Sequence, residues 1–542
     1  MSVVAVPTPL PEAARVERPH AWRGAVAGLV AALVALGVGE LVSGVVRGTT
    51  GPVISVGEWV IDHTPAWLKE YAIRKFGTGD KAALISGTVV ILLVVATAIG
   101  VAATRRRWLG AVGVALFAAV GVATAVTRPT APTMAPLPSL VAGLAAELCL
   151  FALLGLVPSR SMRATVARVD AQRTVAEVVP GPVGRAAMSR RGFLASAGLA
   201  AGGAAAAGGL GRMLRSRFDV SAARAKIRLP RARSAAAAVP TDAEIGVSGI
   251  APFITPNSAF YRVDTALVAP QVSPDEWRLR VHGKVARELH FTYDELLARP
   301  LVERDITLVC VSNEVGGSYA GTARWLGVPL RELLEEAGVD PGADQLVSRS
   351  ADGWTAGTPT AAIMDGRDAL IAVGMNGEPL PVAHGFPARL VVPGLYGYTS
   401  ATKWLTDLEL TTFDAFDGYW VRRGWAQVAP IKTLTRIDTP RGLSTVGTGG
   451  AMIGGVAWAI NRGIDRVEVR VDDGPWRPAS LGGVPSVDTW RQWSIDWDAT
   501  PGSHTISARA TDGEGHLQTE ARAEPIPDGA SGWHSIVVLV KG

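Results

Sequence analysis

Four long apolar runs, at residues 24–46, 82–103, 108–127 and 137–157, dominate the first third of this 542-residue chain. Each is close to the ~20 residues that a helix needs to cross the hydrocarbon core of a bilayer. The chain is therefore expected to open with a membrane domain of four transmembrane helices over residues 1–160. The positive mean hydropathy of +0.25 agrees. Arg15, Arg18 and Arg23 precede the first run, Arg105, Arg106 and Arg107 join the second to the third, and Arg160, Arg163, Arg168 and Arg173 follow the fourth. Positive charge is retained on the cytoplasmic side, which orients the bundle. The loop GEWVIDHTPAWLKEYAIRKFG then faces outward, and its Trp59, Trp67 and Tyr71 suit the outer interface. The same arginines account for much of the net charge of +5, so the basic balance reads as membrane topology and not as a nucleic-acid footprint.

Residues 161–240 read as a cytoplasmic linker, a fifth helix and a tether. The linker carries SRRGFL from Ser189 to Leu194, followed by ASAGLAAGGAAAAGGLG. Paired arginines after Ser, Phe-Leu behind them and a weakly apolar span resemble a twin-arginine export signal, here internal. A basic linker before an ordinary helix is the alternative. On the export reading, the partner is the twin-arginine translocase, and everything after Arg212 lies on the extracytoplasmic face of a bacterial cytoplasmic membrane. That route carries folded proteins, often with a cofactor already inserted. The Ala/Arg/Ser-rich residues 212–239 read as the tether.

From residue 241 onward the sequence is globular. WRLRVHG and RVEVRVDDG alternate as half-buried strands. VPLRELLEEAG spells a helix with Pro329 at its start, Leu330, Leu333 and Leu334 on one face and Gly338 as its stop. After Phe413 the pattern becomes strand and turn, and VEVRVDDGPW and QWSIDWDATPGSHTISARATDGEG suggest a β-sandwich. The expected domains are 241–413 and 414–542.

There are two cysteines. Cys149 lies in an apolar run and reads as a small buried hydrophobe; Cys310 is the one thiol of the exported part, so a disulfide framework is excluded. Cys310 ends the apolar strand DITLVC and opens into the Gly-rich VSNEVGGSYAGTARWLGVPL. A thiolate there can ligate a metal or act as a nucleophile; taken alone, an inert buried cysteine is the simpler reading.

The flanking residues change the balance. TLVCVSNEVGG with GTARWLGVPLRELLEEAGV resembles the cysteine loop of the sulfite oxidase family of molybdopterin-dependent oxidoreductases. NGEPLPVAHGFPARLVVPGLYGYTSATKWL resembles its pterin-binding segment, ITPNSAFYRVDT the start of its catalytic domain, and the β-rich end with GWHSIVVLV its immunoglobulin-like domain. The blocks stand in the family's order over roughly the last 300 residues and leave the membrane region uncovered. The implied architecture is an α-helical membrane bundle, an α+β molybdopterin domain and a C-terminal immunoglobulin-like β-sandwich, through which a homodimer is left open.

The implied cofactor is molybdenum held by a single molybdopterin, with Cys310 supplying the protein's thiolate. His384, Arg389, Thr402 and Lys403 fall at cofactor-contact positions, with Asn257, Tyr261 and Asp352 as further candidates. Outside that resemblance, His384 could be a satisfied loop histidine, Arg389 a surface ion pair and Lys403 a solvated end. His282, His290, His504, His516 and His534 show no metal spacing and read as structural or surface residues.

The departures bear on substrate. Sulfite-oxidising members carry arginines after the loop asparagine; here Asn313 is followed by Glu314 and Val315. A carboxylate there would repel the sulfite dianion. A family tyrosine aligns with Trp425 in YWVRRGWA, leaving Arg422 and Arg423 as anion contacts. The expected activity is oxygen-atom transfer on a small substrate, with sulfite disfavoured. Sulfite oxidation or S-/N-oxide reduction are the alternatives within the class, and a catalytically inactive binding or assembly module is the alternative outside it.

A transmembrane b-haem needs histidines inside the bundle, but His20 and His63 only flank the runs. No intrinsic haem is expected, and a separate cytochrome- or quinone-linked redox partner is. Glu40 and Glu147 do fall within spans, where a carboxyl is costly and often functional, with helix packing or a place near the interface as the alternative.

Overall fold

The computed structural model describes residues 20–65, 68, 71, 75, 76, 79–128, 130–155 and 189–542. The arginines expected at 15, 18, 160, 163, 168 and 173, and Trp67, lie outside the described residues. Two compact units are present, Met1–Phe218 and Asp219–Gly542.

The first unit is helical: α1 (Ala21–Val45), α2 (Pro52–His63), α3 (Asp80–Arg105), α4 (Arg107–Val126), α5 (Leu137–Leu153) and α6 (Arg190–Arg215). By length and composition, α1, α3, α4 and α6 can each cross a membrane. At 17 residues α5 is shorter than the run that announced it. Glycines let backbones touch: a Cβ on Gly37 of α1 would stand 2.2 Å from the Ala204 carbonyl of α6, and one on Gly28 equally close to the Ala96 carbonyl of α3. Small residues at such crossings supply packing where the hydrophobic effect cannot. Along α3, Val90, Ile91 and Val94 are exposed, which is compatible with contact to lipid. Glu40 is not isolated within its span, since its Oε2 lies 3.0 Å from Nη2 of Arg215. Arg190 and Arg191 begin α6, and the Ser189 hydroxyl caps it by accepting from Gly192 N–H at 3.1 Å.

The second unit begins with a segment whose composition reads as a tether but which is packed. Helix α7 (Ser221–Lys226) is followed by extended chain whose Ile227, Leu229 and Ala232 join the apolar core. Arg224 donates to the Leu380 carbonyl at 2.8 Å and pairs with Glu378 at 2.9 Å.

Two five-stranded sheets follow. One runs β2 (Leu289–Thr292), β1 (Arg278–Gly283), β10 (Leu405–Thr411), β5 (Gln345–Ser350), β6 (Thr355–Pro359), with β1 and β10 parallel. The other, a four-strand path with a side branch, runs β3 (Val302–Val309), β4 (Ala320–Pro329), β7 (Leu370–Met375), β8 (Glu378–Pro379), with β9 (Arg389–Val391) also on β7. Helix α8 (Leu330–Ala337) buries Leu330, Leu333, Leu334 and Ala337 and stops at Gly338, φ 68°, as its sequence predicts. The antiparallel β3/β4 pair, Val302 opposite Gly327 through Val309 opposite Ala320, delivers Cys310 at the end of a strand that is buried from Asp305 to Val309. β9 pairs Arg389 with Ala372, which places a cation in the interior of the same sheet.

The rest is β-rich, as expected. A four-stranded sheet, β11 (Leu434–Thr439), β13 (Gly449–Trp458), β17 (Arg491–Ala499), β16 (Ser480–Leu481), shares a core with a five-stranded one, β12 (Thr445–Gly447), β19 (His534–Lys541), β18 (Gly502–Asp512), β14 (Ile464–Val471), β15 (Arg477–Pro478). Ile437, Trp493, Val467, Ile506 and Val538 from both sheets meet in that core.

Candidate cofactor site

Cys310 is 8% exposed, and burial raises the pKa of its thiol, opposed by hydrogen bonds from the backbone and side chain of Ser312. The turn after it is internally tied. Cys310 N–H donates to the Tyr319 carbonyl at 2.9 Å, Asn313 N–H to the Cys310 carbonyl at 3.1 Å, and Tyr319 N–H to Oδ1 of Asn313 at 2.7 Å. Nδ2 of Asn313 is buried without a hydrogen-bond partner. Glu314 is exposed.

A second group of residues gathers around Arg389. Its guanidinium, 5% exposed, donates to the His384 carbonyl and the Ala401 carbonyl, each at 3.1 Å, and lies 5.0 Å over the Trp325 ring. It forms no ion pair among the described residues, and burial pulls its pKa down to about 10. A cation held only by carbonyls is under-compensated in a low-dielectric interior and suits an anion. The surface-ion-pair alternative for Arg389 therefore does not describe it.

His384 ends the short helix Val382–His384 and hydrogen-bonds the Asn257 carbonyl at 3.2 Å through Nε2. Burial, then the Arg389 and Lys403 charges, push its pKa down to about 4. Lys403 is not a solvated end: Nζ lies 2.5 Å from Oδ2 of Asp264 and 3.3 Å from the Ala383 carbonyl. The Tyr261 hydroxyl is held well above the usual phenol range, first by burial and then by Cys310, with Arg389 opposing. Tyr261 thus feels both groups. Nδ2 of Asn257 bonds Glu378 at 2.6 Å, and its Oδ1 accepts from Asn376 at 2.8 Å.

The remaining candidates are placed differently. The Thr402 hydroxyl is committed to Ser348 at 2.6 Å. Asp352 caps its own turn, accepting from Trp354 N–H at 3.1 Å. Trp425 is buried in one apolar cluster with Val309 and Val311, the neighbours of Cys310, and its indole N–H is buried without a partner. Arg422 is exposed beside Phe416, and Arg423 lies 3.6 Å over the Tyr419 ring. The sequence reading missed Asp264 and Trp325, although both stand within the quoted blocks as the Asp of YRVDT and the Trp of GTARWLG.

No group of three or more His, Cys, Asp or Glu side chains suited to a metal exists among the described residues. A metal at Cys310 would have one protein thiolate and would take its other ligands from a cofactor, which fits a pterin dithiolene. The orphaned Asn313 and Trp425 donors and the uncompensated Arg389 fit an anionic, acceptor-rich group equally well.

Comparison with known proteins bears on this chemistry. Residues 266–420 match the oxidoreductase molybdopterin binding domain family. Human mitochondrial sulfite oxidase is 30% identical over an alignment of 343 residues that covers 53% of this chain and 62% of that protein. This chain thus spans less than two thirds of that relative. Soybean inducible NADH nitrate reductase 1 is 31% identical over 194 residues, covering 31% of this chain and 22% of that one. The sulfane dehydrogenase SoxCD of Paracoccus pantotrophus aligns in structure over 54% of this chain and 84% of that one, at 26% identity and a TM-score of 0.47. Residues 266–420 are therefore a molybdopterin-binding oxidoreductase domain, similar to that of the sulfite oxidases.

Proposed function

We propose that this chain is a membrane-anchored, extracytoplasmic enzyme that transfers an oxygen atom to or from a small substrate at a molybdenum–molybdopterin cofactor. The observations that carry the reading are one buried thiol, Cys310, and a buried cation, Arg389, that has no ion-pair partner among the described residues and is held by backbone carbonyls. When bound, the group supplies two-electron oxygen-atom transfer.

The chain's own residues set the conditions. Cys310 leaves its strand in a tied turn that fixes the thiolate direction, and Ser312 favours the ionised sulfur. Arg389 and His384 offer donors to an anionic edge, while Asp264 offsets the positive charge of Lys403. Asn257 orients the His384 ring and is itself clamped by Glu378 and Asn376. Trp425 walls the thiolate side and, with Arg422 and Arg423, is assigned to the substrate approach. Glu314, exposed on the Cys310 turn, disfavours a dianion such as sulfite and favours a neutral S- or N-oxide or a sulfur compound of lower charge.

The wider proposal keeps the domains at 1–160, 161–240, 241–413 and 414–542, the last as an immunoglobulin-like sandwich able to dimerise. It assigns SRRGFL to twin-arginine export and α1, α3, α4, α5 and α6 to the anchor, with no intrinsic haem. Electrons pass to or from a separate cytochrome- or quinone-linked partner.

The test is molybdenum and pterin analysis of purified full-length protein, with a screen of S- and N-oxides against a reduced viologen and of sulfite against an artificial acceptor. Oxide-dependent viologen oxidation supports the reading; turnover of sulfite alone refutes its substrate assignment. A second reading, a binding or assembly module without chemistry, is favoured by Glu314 and Val315 standing where substrate arginines would be. Protein lacking both molybdenum and pterin would establish it.

A further inference from the structure

The Cys310 turn is held from outside its own domain. His534 begins β19 of the β-rich region, and its Nδ1 accepts the Ile437 N–H of β11 at 2.9 Å. That bond fixes the proton on Nε2, and burial beside Arg436 keeps the ring neutral, with its pKa down to about 4. Nε2 is then set against the Cys310 turn: a Cβ on Gly316 would stand 2.2 Å from it, and Gly316 itself has φ 82°. Only glycine satisfies both the left-handed backbone and the imidazole approach.

The next residue is gripped as well. Nη1 of Arg436 donates to the Gly317 carbonyl at 3.1 Å, while Asp438 holds the guanidinium from Nε at 2.5 Å and Nη2 at 3.2 Å. Gly317 N–H in turn donates to the Glu314 carbonyl at 2.8 Å, and the turn closes through Asn313 and Tyr319 onto Cys310.

We infer that His534 and Arg436 are positioning residues, through which the β-rich C-terminal region fixes the Cys310 thiol for ligation. This deepens the proposed cofactor reading, and it makes the C-terminal region part of the site's construction and not only an appendage. His534, which the sequence offered as structural or surface, acquires a role that no metal spacing could reveal.

The test is alkylation of Cys310 in full-length protein produced without the cofactor, followed by mass spectrometry, with Cys149 in α5 as an internal control. His534→Leu and Arg436→Gln should each speed Cys310 labelling by about tenfold or more, because local opening sets the reactivity of a buried group. Cys149 labelling should stay unchanged. His534→Asn, whose carbonyl can replace Nδ1 as acceptor, should label close to wild type. Folded variants that label Cys310 at the wild-type rate overturn the inference, as does equal acceleration at Cys149. If His534→Leu does not fold, Arg436→Gln decides alone. Wild-type protein without molybdenum would instead refute the cofactor reading and leave the labelling result standing.

Discussion

Lys403 and Asp264 form an ion pair inside the protein, Nζ to Oδ2 at 2.5 Å, with side-chain exposures of 10% and 9%. The two residues are 139 positions apart, so the pair ties the chain just before residues 266–420 to a stretch near their end. Removing one partner strands a desolvated charge. Asp264→Ala should cost about 3–5 kcal/mol in a denaturant titration followed by Trp fluorescence, whereas Asp264→Ala with Lys403→Met should recover most of it. A single variant as stable as wild type would show the pair to be energetically idle.

Arg389 and Arg422 should separate in function. Arg389 is buried against Trp325, and Arg422 is exposed. Arg389→Met is expected to lower molybdenum and pterin retention by at least about tenfold, the scale of a lost charge-assisted contact. Arg422→Met should leave metal content intact and raise KM for the oxide or low-charge sulfur substrate. Parallel metal analysis and steady-state kinetics check both.

His384 is expected to make the cofactor-free protein acid-labile. Its pKa falls from 6.5 in the unfolded chain to about 4 in the fold, so the unfolded state takes up the proton first. Its contribution is complete above pH 6.5 and is lost as pH falls through about 4, a change of about 3 kcal/mol. His384→Gln should flatten the stability profile across that window; an unchanged slope would rule the residue out as the titrating group.

Asp488 carries the opposite sign. It is 8% exposed, Oδ1 has no hydrogen-bond partner, and burial with the Asp368 charge raises its pKa from 3.8 to about 6. The folded state holds the proton more tightly, so stability falls as pH rises through that window. Asp488→Asn should therefore stabilise the protein above pH 6 by up to about 3 kcal/mol, and the gain should vanish below pH 3.8. Melting curves at pH 8 and pH 4 measure it.

What was legible in the sequence follows from how local each signal is. The runs that became α1, α3 and α4 are long and uniformly apolar, and Pro329 and Gly338 bracket α8. Cys310 stood out as a lone thiol at a strand end. Three features depend on distant partners and left no local trace: Asp264 meeting Lys403, His534 meeting Gly316, and the docking of Ile227 and Leu229 into the core. The last segment has linker composition, and only the alternation of Ile227 and Leu229 with exposed Arg228 hints that it packs.

Cys310 is proposed as the protein's one ligand to a molybdenum–pterin cofactor. The most direct measurement is the molybdenum-to-protein ratio, with pterin fluorescence, for purified wild type and Cys310→Ser. The expected result is one molybdenum per wild-type chain and a large loss in Cys310→Ser with the fold retained. Equal occupancy in the two proteins, or none in the wild type, would rule that ligation out.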